Sequence, residues 1–157
     1  YITHKENKEI IIYQKNINKA LNYENKFKLD KVNTYLTFNK NIQKIKEKCY
    51  KKIEKILNMN QVIHGYGAST KGNVILQFFN IDNKKIKFIS DRNPFKNNRY
   101  TPGTKIKIIS EKKSRSLKPN YYFVLPWHFK KEILIREKKI RKKNTKFIFP
   151  LPKLSII

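Results

Sequence analysis

Four glycines, two alanines, five arginines and one cysteine are all that 157 residues hold of those types. Each shortage excludes something. With Cys49 alone, neither a disulfide framework nor a cysteine zinc site can form within the chain, and a reducing, cytoplasmic compartment is expected. Cys49 falls on the apolar side of a predicted helix, where it packs as a small hydrophobe. His4, His64 and His128 are far apart and lack ligand spacing, so no metal site is predicted. No apolar run approaches the ~20 residues that cross a bilayer, so no membrane partner is expected. The chain begins on Tyr1 with no basic-then-apolar leader, which reads as a start inside a longer or processed frame.

Acidic residues are scarce too. Eleven Asp and Glu stand against 37 Lys and Arg, a net charge of +26. That balance invites a nucleic-acid reading. Its make-up points elsewhere. Arginine occurs only at positions 92, 99, 115, 136 and 141, so 37 − 5 = 32 of the cations are lysine. A Lys/Asn/Ile-rich chain with alanine only at Ala20 and Ala68 is what an AT-rich coding bias produces wherever the surface tolerates it. Specific base and phosphate readers use the bidentate arginine fork instead. Non-specific polyanion binding follows from the charge in either case.

Three of the four glycines fall at 65, 67 and 72. Val62 and Ile63 read as the end of a buried strand. Val74, Ile75, Phe78 and Phe79 read as the inner face of a helix. A strand, a glycine turn and a helix N-terminus together suit a phosphate, because free amides and a positive helix end meet there. Generic fingerprints fit poorly: the third glycine of the dinucleotide pattern is replaced by Thr70, and Lys71 precedes rather than follows Gly72. By those rules alone a tight turn with a solvated lysine fits as well.

Gly65-Tyr66-Gly67-Ala68-Ser69-Thr70-Lys71-Gly72-Asn73 resembles the G-Y-G-A-S-x-K-G-N signature of the C-terminal domain of S-adenosylmethionine-dependent sugar C-methyltransferases. Further matching blocks follow in order: Ser90-Asp91-Arg92-Asn93-Pro94 with Lys96, Arg99 to Thr104, Leu125-Pro126-Trp127-His128-Phe129, and Phe149-Pro150-Leu151-Pro152. The likeness covers residues 61–157 well and the preceding helical stretch loosely. It implies a Rossmann-like domain that helps hold a nucleotide sugar. In that family a zinc-binding segment and a cofactor domain come first, and they keep the residues usually assigned to catalysis.

Along the chain, Tyr1–Thr3 and Ile10–Tyr13 read as short strands around a lysine-flanked turn, the edge of an upstream cofactor domain spanning 1–27. Asn16–Tyr23 reads as one short helical turn. From Leu29 to Leu57, apolar residues at steps of three and four predict one long amphipathic helix within a linking segment 28–60, with Asp30 near its positive end. Residues 61–157 form the Rossmann-like unit. Its further strands are Ile86–Ser90, a half-buried Lys105–Ile109, the apolar Tyr121–Leu125 and Phe147–Phe149. Glu111–Lys118 reads as a polar helical turn or loop, and Phe129–Arg141 as a helix. Asp91 sits where a dinucleotide fold binds a ribose hydroxyl, or else caps the Arg92-Asn93-Pro94 loop. Trp127 stacks on a ligand or packs, and His128 caps the next helix or meets phosphate.

The fold expected is α/β, a three-layer Rossmann-like unit with a mostly parallel sheet behind a long amphipathic helix. The function implied by the resemblance is nucleotide-sugar binding as part of a sugar C-methyltransferase. The substrate-binding set is Gly65, Tyr66, Gly67, Ala68, Ser69, Lys71, Gly72, Asn73, Asp91, Arg92, Lys96, Trp127 and His128. No catalytic residue is assigned. No cofactor is expected on this chain, and S-adenosylmethionine is implied for the complete enzyme. Expected partners are a nucleotide sugar and an upstream methyltransferase domain or a second copy. A stand-alone nucleotide-binding or scaffold module is the alternative, and a basic nucleic-acid-binding domain comes third.

Overall fold

The computed structural model of the chain describes residues 4, 6, 7, 13–141 and 144–157. The predicted strands at 1–3 and 10–12 lie outside them. The described chain divides into two units, residues 1–42 and residues 43–157.

The first unit holds helix α1 (Gln14–Lys26) and the start of α2 (Val32–Asn58). Where one short turn was expected, α1 runs for 13 residues. Ile17 and Leu21 share one face of it, and near its end the Tyr23 and Phe27 rings meet with centroids 4.7 Å apart. The long helix begins at Val32 rather than Leu29. Lys28 takes a left-handed φ of 52°, and the Thr34 and Tyr35 hydroxyls donate to the Lys28 and Leu29 carbonyls. Asp30 therefore precedes the helix, and its carboxylate pairs with Lys31.

The second unit is a six-stranded sheet: β1 (Ile63–Tyr66), β2 (Phe88–Asp91), β3 (Lys107–Ser110), β4 (Tyr121–Val124), β5 (Lys146–Phe149) and β6 (Ser155–Ile156). The order is β3-β2-β1-β4-β5-β6. All neighbours are parallel except β6, which runs antiparallel to β5. Strand β6, past the Pro150-Leu151-Pro152 closure, has no counterpart in the sequence reading. Between strands lie α3 (Thr70–Phe78), α4 (Glu111–Ser116), α5 (Lys130–Arg136) and α6 (Lys138–Arg141). The expected single helix from Phe129 breaks at Glu137, which is buried and held by two arginines.

Alternation along the strands sorts the side chains to two faces. Ile63, Phe123 and Ile148 point to one face, where they pack with Cys49, Ile53 and Ile56 of α2 and with Ile75, Leu76 and Phe79 of α3. Tyr66, Tyr122, Val124, Phe147 and Phe149 point to the other, under Ile133 of α5 and Ile140 of α6. Helices on both faces of a parallel sheet make this a doubly wound, Rossmann-like α/β unit. Two expectations shift within it. Strand β1 continues through His64 and Gly65 to Tyr66, so the glycine signature starts inside the sheet. On α3 the buried positions are Gly72, Ile75, Leu76 and Phe79, while Val74 and Phe78 face out. That face is set by Gly72, whose missing Cβ lets α3 approach Leu125: an added Cβ would lie 2.4 Å from the Leu125 Cβ.

Candidate functional site

Strand order reverses between β1 and β4, since the chain leaves β1 toward β2 on one side and returns as β4 on the other. A doubly wound sheet opens a crevice at that point, outside the carboxyl ends of its strands. Here it is a cleft of about 460 Å³. Tyr66, Gly67, Ala68 and Ser69 form its floor at the end of β1. One bank comes from the end of β2 with Ser90, Asp91, Arg92 and Lys96. The other comes from the segment after β4 with Pro126, Phe129, Glu132, Ile133 and Arg136, and Glu111 of α4 completes the wall.

The floor is tightly made. Gly67 adopts φ of 78°, and a Cβ there would meet Pro126 at 2.9 Å, so only glycine fits. Most of the turn's amides are satisfied internally. Gly67 N donates to the Ser90 carbonyl at 2.7 Å, Ser69 N to the Gly67 carbonyl, and Gly72 N to the Ser69 hydroxyl, which is the N-cap of α3. Ala68 N donates to Asp91 Oδ2 at 2.7 Å, and Asn93 N donates to Asp91 Oδ1 at 2.8 Å. Asp91 thus caps its own loop and ties it to the glycine turn. Lys96 adds a second tie through its ammonium, which donates to the Ala68 carbonyl at 2.7 Å and stands 3.6 Å from Asp91. The amides of Thr70 and Lys71, at the first turn of α3, are left without an acceptor among the described residues.

The far wall rests on a buried ionic cluster. Glu137, 2 % exposed, accepts from Arg115 at 3.0 Å, from Arg136 Nε at 2.9 Å and from the Tyr66 hydroxyl at 2.7 Å. Arg136 also donates to Tyr66 and pairs with Glu111 at 2.6 Å. Burial beside this carboxylate holds the Tyr66 hydroxyl well above the ordinary phenol range, so it stays a neutral donor. Beneath the cluster, buried Ser114 of α4 bonds His64 Nδ1 at 2.8 Å and the Tyr122 hydroxyl at 2.9 Å.

Seven of the residues singled out from sequence line the cleft: Tyr66, Gly67, Ala68, Ser69, Asp91, Arg92 and Lys96. Gly65, Lys71, Gly72, Asn73, Trp127 and His128 do not line it. Gly65 is buried in β1, where a Cβ would strike Ile89 at 2.7 Å, and Lys71 is exposed on α3. The Asn73 side-chain oxygen is buried without a partner. Trp127 is half-buried and packs against both core clusters, and His128 makes no capping bond. Phe129, Glu132, Ile133 and Arg136 were not singled out. Their spacing of three, four and seven after Phe129, directly beyond a central strand, is the signal that would have found them.

The chain belongs to the C-methyltransferase C-terminal domain family. The model of that family matches residues 1–152. A curated relative, the C-methyltransferase NovU of Streptomyces niveus, is 28 % identical over 123 residues, which is 78 % of this chain and 29 % of that protein. The chain therefore spans under a third of that relative's length.

Of the two roles expected for Asp91, ribose ligand or cap of the Arg92-Asn93-Pro94 loop, its hydrogen bonds support the cap. Asp91 already accepts an amide on each oxygen and faces Lys96. Among the described residues, no group of three or more His, Cys, Asp or Glu stands where it could hold a metal ion, and no helix is long and apolar enough to cross a membrane.

Proposed function

We propose that this family member is the nucleotide-sugar-binding C-terminal part of a sugar C-methyltransferase whose methyl donor, S-adenosylmethionine, is held elsewhere in the enzyme. One observation carries the reading: the cleft lies at the β1/β4 switch point of a C-methyltransferase C-terminal domain, the place where such sheets take nucleotide ligands. Its floor is rigid because Asp91 and Lys96 lock the loop after β2 onto the glycine turn. The open amides at the α3 N-terminus suit a phosphate, and apolar Pro126, Phe129 and Ile133 suit the face of a ring.

Transfer of a methyl group to a sugar carbon needs a base that removes its proton and a donor that stabilises the enolate. Of the cleft's three carboxylates, Asp91 and Glu111 are held by amides and cations, and Glu132 has no partner among the described residues to orient it as a base. The Tyr66 proton is held by Glu137. The role of this chain is to bind and orient, and by itself it methylates nothing. Isothermal titration with UDP-, dTDP- and GDP-sugars tests the binding. At least one should bind at ionic strength near 0.15 M, where loose polyanion contacts are weak. Failure of the whole panel overturns the reading, and so does methyl transfer to a keto nucleotide sugar by the chain alone.

A further inference from the structure

Six charged side chains line the cleft, three acidic and three basic, in a chain of net charge +26. Four are already committed: Asp91 with Lys96 and two amides, and Glu111 with Arg136. Arg92 and Glu132 differ. Among the described residues neither side chain has an ion-pair or hydrogen-bonding partner, and both are exposed. They stand on opposite banks, Arg92 beyond β2 and Glu132 on α5 beyond β4, with the β1–α3 turn between them.

We propose that Arg92 clamps the diphosphate of the ligand and that Glu132 accepts hydrogen bonds from hydroxyls of the sugar. The inference rests on the nucleotide-sugar reading and assigns the two ends of its site. A guanidinium offers a planar fork that matches two phosphate oxygens, and Arg92 has all five of its donors free. It shares the cleft with Ala68 and Ser69, which directly precede the Thr70 and Lys71 amides that lack acceptors. Arg136, the cleft's other guanidinium, is neutralised by Glu111 and Glu137. Lys96 is held on the Ala68 carbonyl, and Lys71 lies outside the cleft. Arg92 is thus the cation with nothing to lose when a phosphate arrives. Glu132 has the opposite preference. An unpaired carboxylate repels a phosphate and accepts from O–H groups, and a pyranose presents several of those around an apolar C–H face. Phe129 and Ile133, three residues before and one after Glu132, supply apolar surface for that face.

Three variants decide it: Arg92→Gln, Glu132→Gln and, off the cleft, Lys71→Gln. The probes are UDP with UDP-glucose and dTDP with dTDP-glucose, and the pair that binds wild type is carried forward. Arg92→Gln should weaken the free diphosphate and its sugar conjugate alike, by about tenfold or more, the scale of a lost charge-assisted pair. Glu132→Gln should weaken the conjugate about tenfold yet leave the free diphosphate within about twofold. Lys71→Gln removes the same single charge as Arg92→Gln, so bulk attraction would treat the two alike. The proposal requires Lys71→Gln to stay within about twofold of wild type. Equal losses for Arg92→Gln and Lys71→Gln overturn it, and so does a Glu132→Gln defect as large for the free diphosphate as for the conjugate. A wild-type chain that binds none of the four probes instead brings down the nucleotide-sugar reading itself. Both cleft residues are exposed and unpaired, so circular dichroism should show each variant folded as wild type.

Discussion

His64 shows how one residue's surroundings set its chemistry. A histidine beside a glycine turn invites a phosphate or metal role, but strand alternation turns this one inward, to 1 % exposure. It meets Ser114 through Nδ1 and lies edge-on to the Phe88 and Tyr122 rings. Burial disfavours the imidazolium and lowers its pKa to about 4 from the usual 6.5. The unfolded chain then binds more protons than the folded one between those values, so stability rises with pH across that window. The neutral ring's contribution is complete above pH 6.5 and is lost as pH falls toward 4, a total of about 3 kcal/mol. Urea unfolding of wild type and His64→Gln at half-unit pH steps measures it. The variant should lose that part of the slope between pH 6.5 and 4, and parallel curves would contradict the burial argument.

At the scale of elements, the buried carboxylate of Glu137 decides where a helix ends. Periodicity alone carries one helix from Phe129 to Arg141, and the structure breaks it at Glu137 to seat that side chain beneath Tyr66, Arg115 and Arg136. Removing the carboxylate takes the acceptor from the buried Tyr66 hydroxyl, while the more exposed Arg115 and Arg136 keep Glu111. Glu137→Ala should therefore destabilise the fold by roughly 1–3 kcal/mol, the scale of leaving a buried polar group without its partner. Denaturant midpoints would show it, and a loss within experimental error would mean that water replaces Glu137 as the acceptor of the Tyr66 hydroxyl. The same comparison explains what the sequence made legible. Strands β1, β2, β4 and β5 announce themselves as short apolar runs between turn residues, because both faces of a parallel sheet are buried. The glycine turn was legible from its spacing. Three features were not. Positive φ at Lys28 and Lys105 delays α2 and β3, a backbone choice that lysine does not advertise. The inner face of α3 depends on how closely Gly72 approaches Leu125, a contact 53 positions away in the chain. The α5 bank of the cleft joins Glu132 and Arg136 to Asp91 and Arg92 only through the sheet order.

Across the whole molecule two forces pull against each other, and salt separates them. Lysine dominates the net charge of +26, so duplex DNAs of unrelated sequence should bind alike and weaken steeply with salt as released counterions become less favourable to free. Meanwhile, no residue of α1 is buried, and Ile17, Leu21, Tyr35 and Leu36 of the first unit are exposed at 43 %, 49 %, 55 % and 60 %. Apolar side chains left in such number on two helices favour association with another copy or with a partner. Two copies of a chain this basic repel each other, and the repulsion is long-ranged only while the Debye length is long, about 10 Å at 0.1 M and 3 Å at 1 M. Adding salt removes that repulsion and leaves the apolar attraction in place. Self-association should therefore strengthen between about 0.05 and 0.5 M salt, over the same range in which DNA binding fades. Sedimentation velocity at several protein concentrations, run beside DNA titrations in matched buffers, measures both trends. Placing a charge on each helix, with Leu21→Glu and Leu36→Glu together, should return the chain to a monomer at every salt concentration and leave its DNA affinity lowered only modestly. Association that instead weakens with salt would make the contact electrostatic and move it off the apolar faces of α1 and α2.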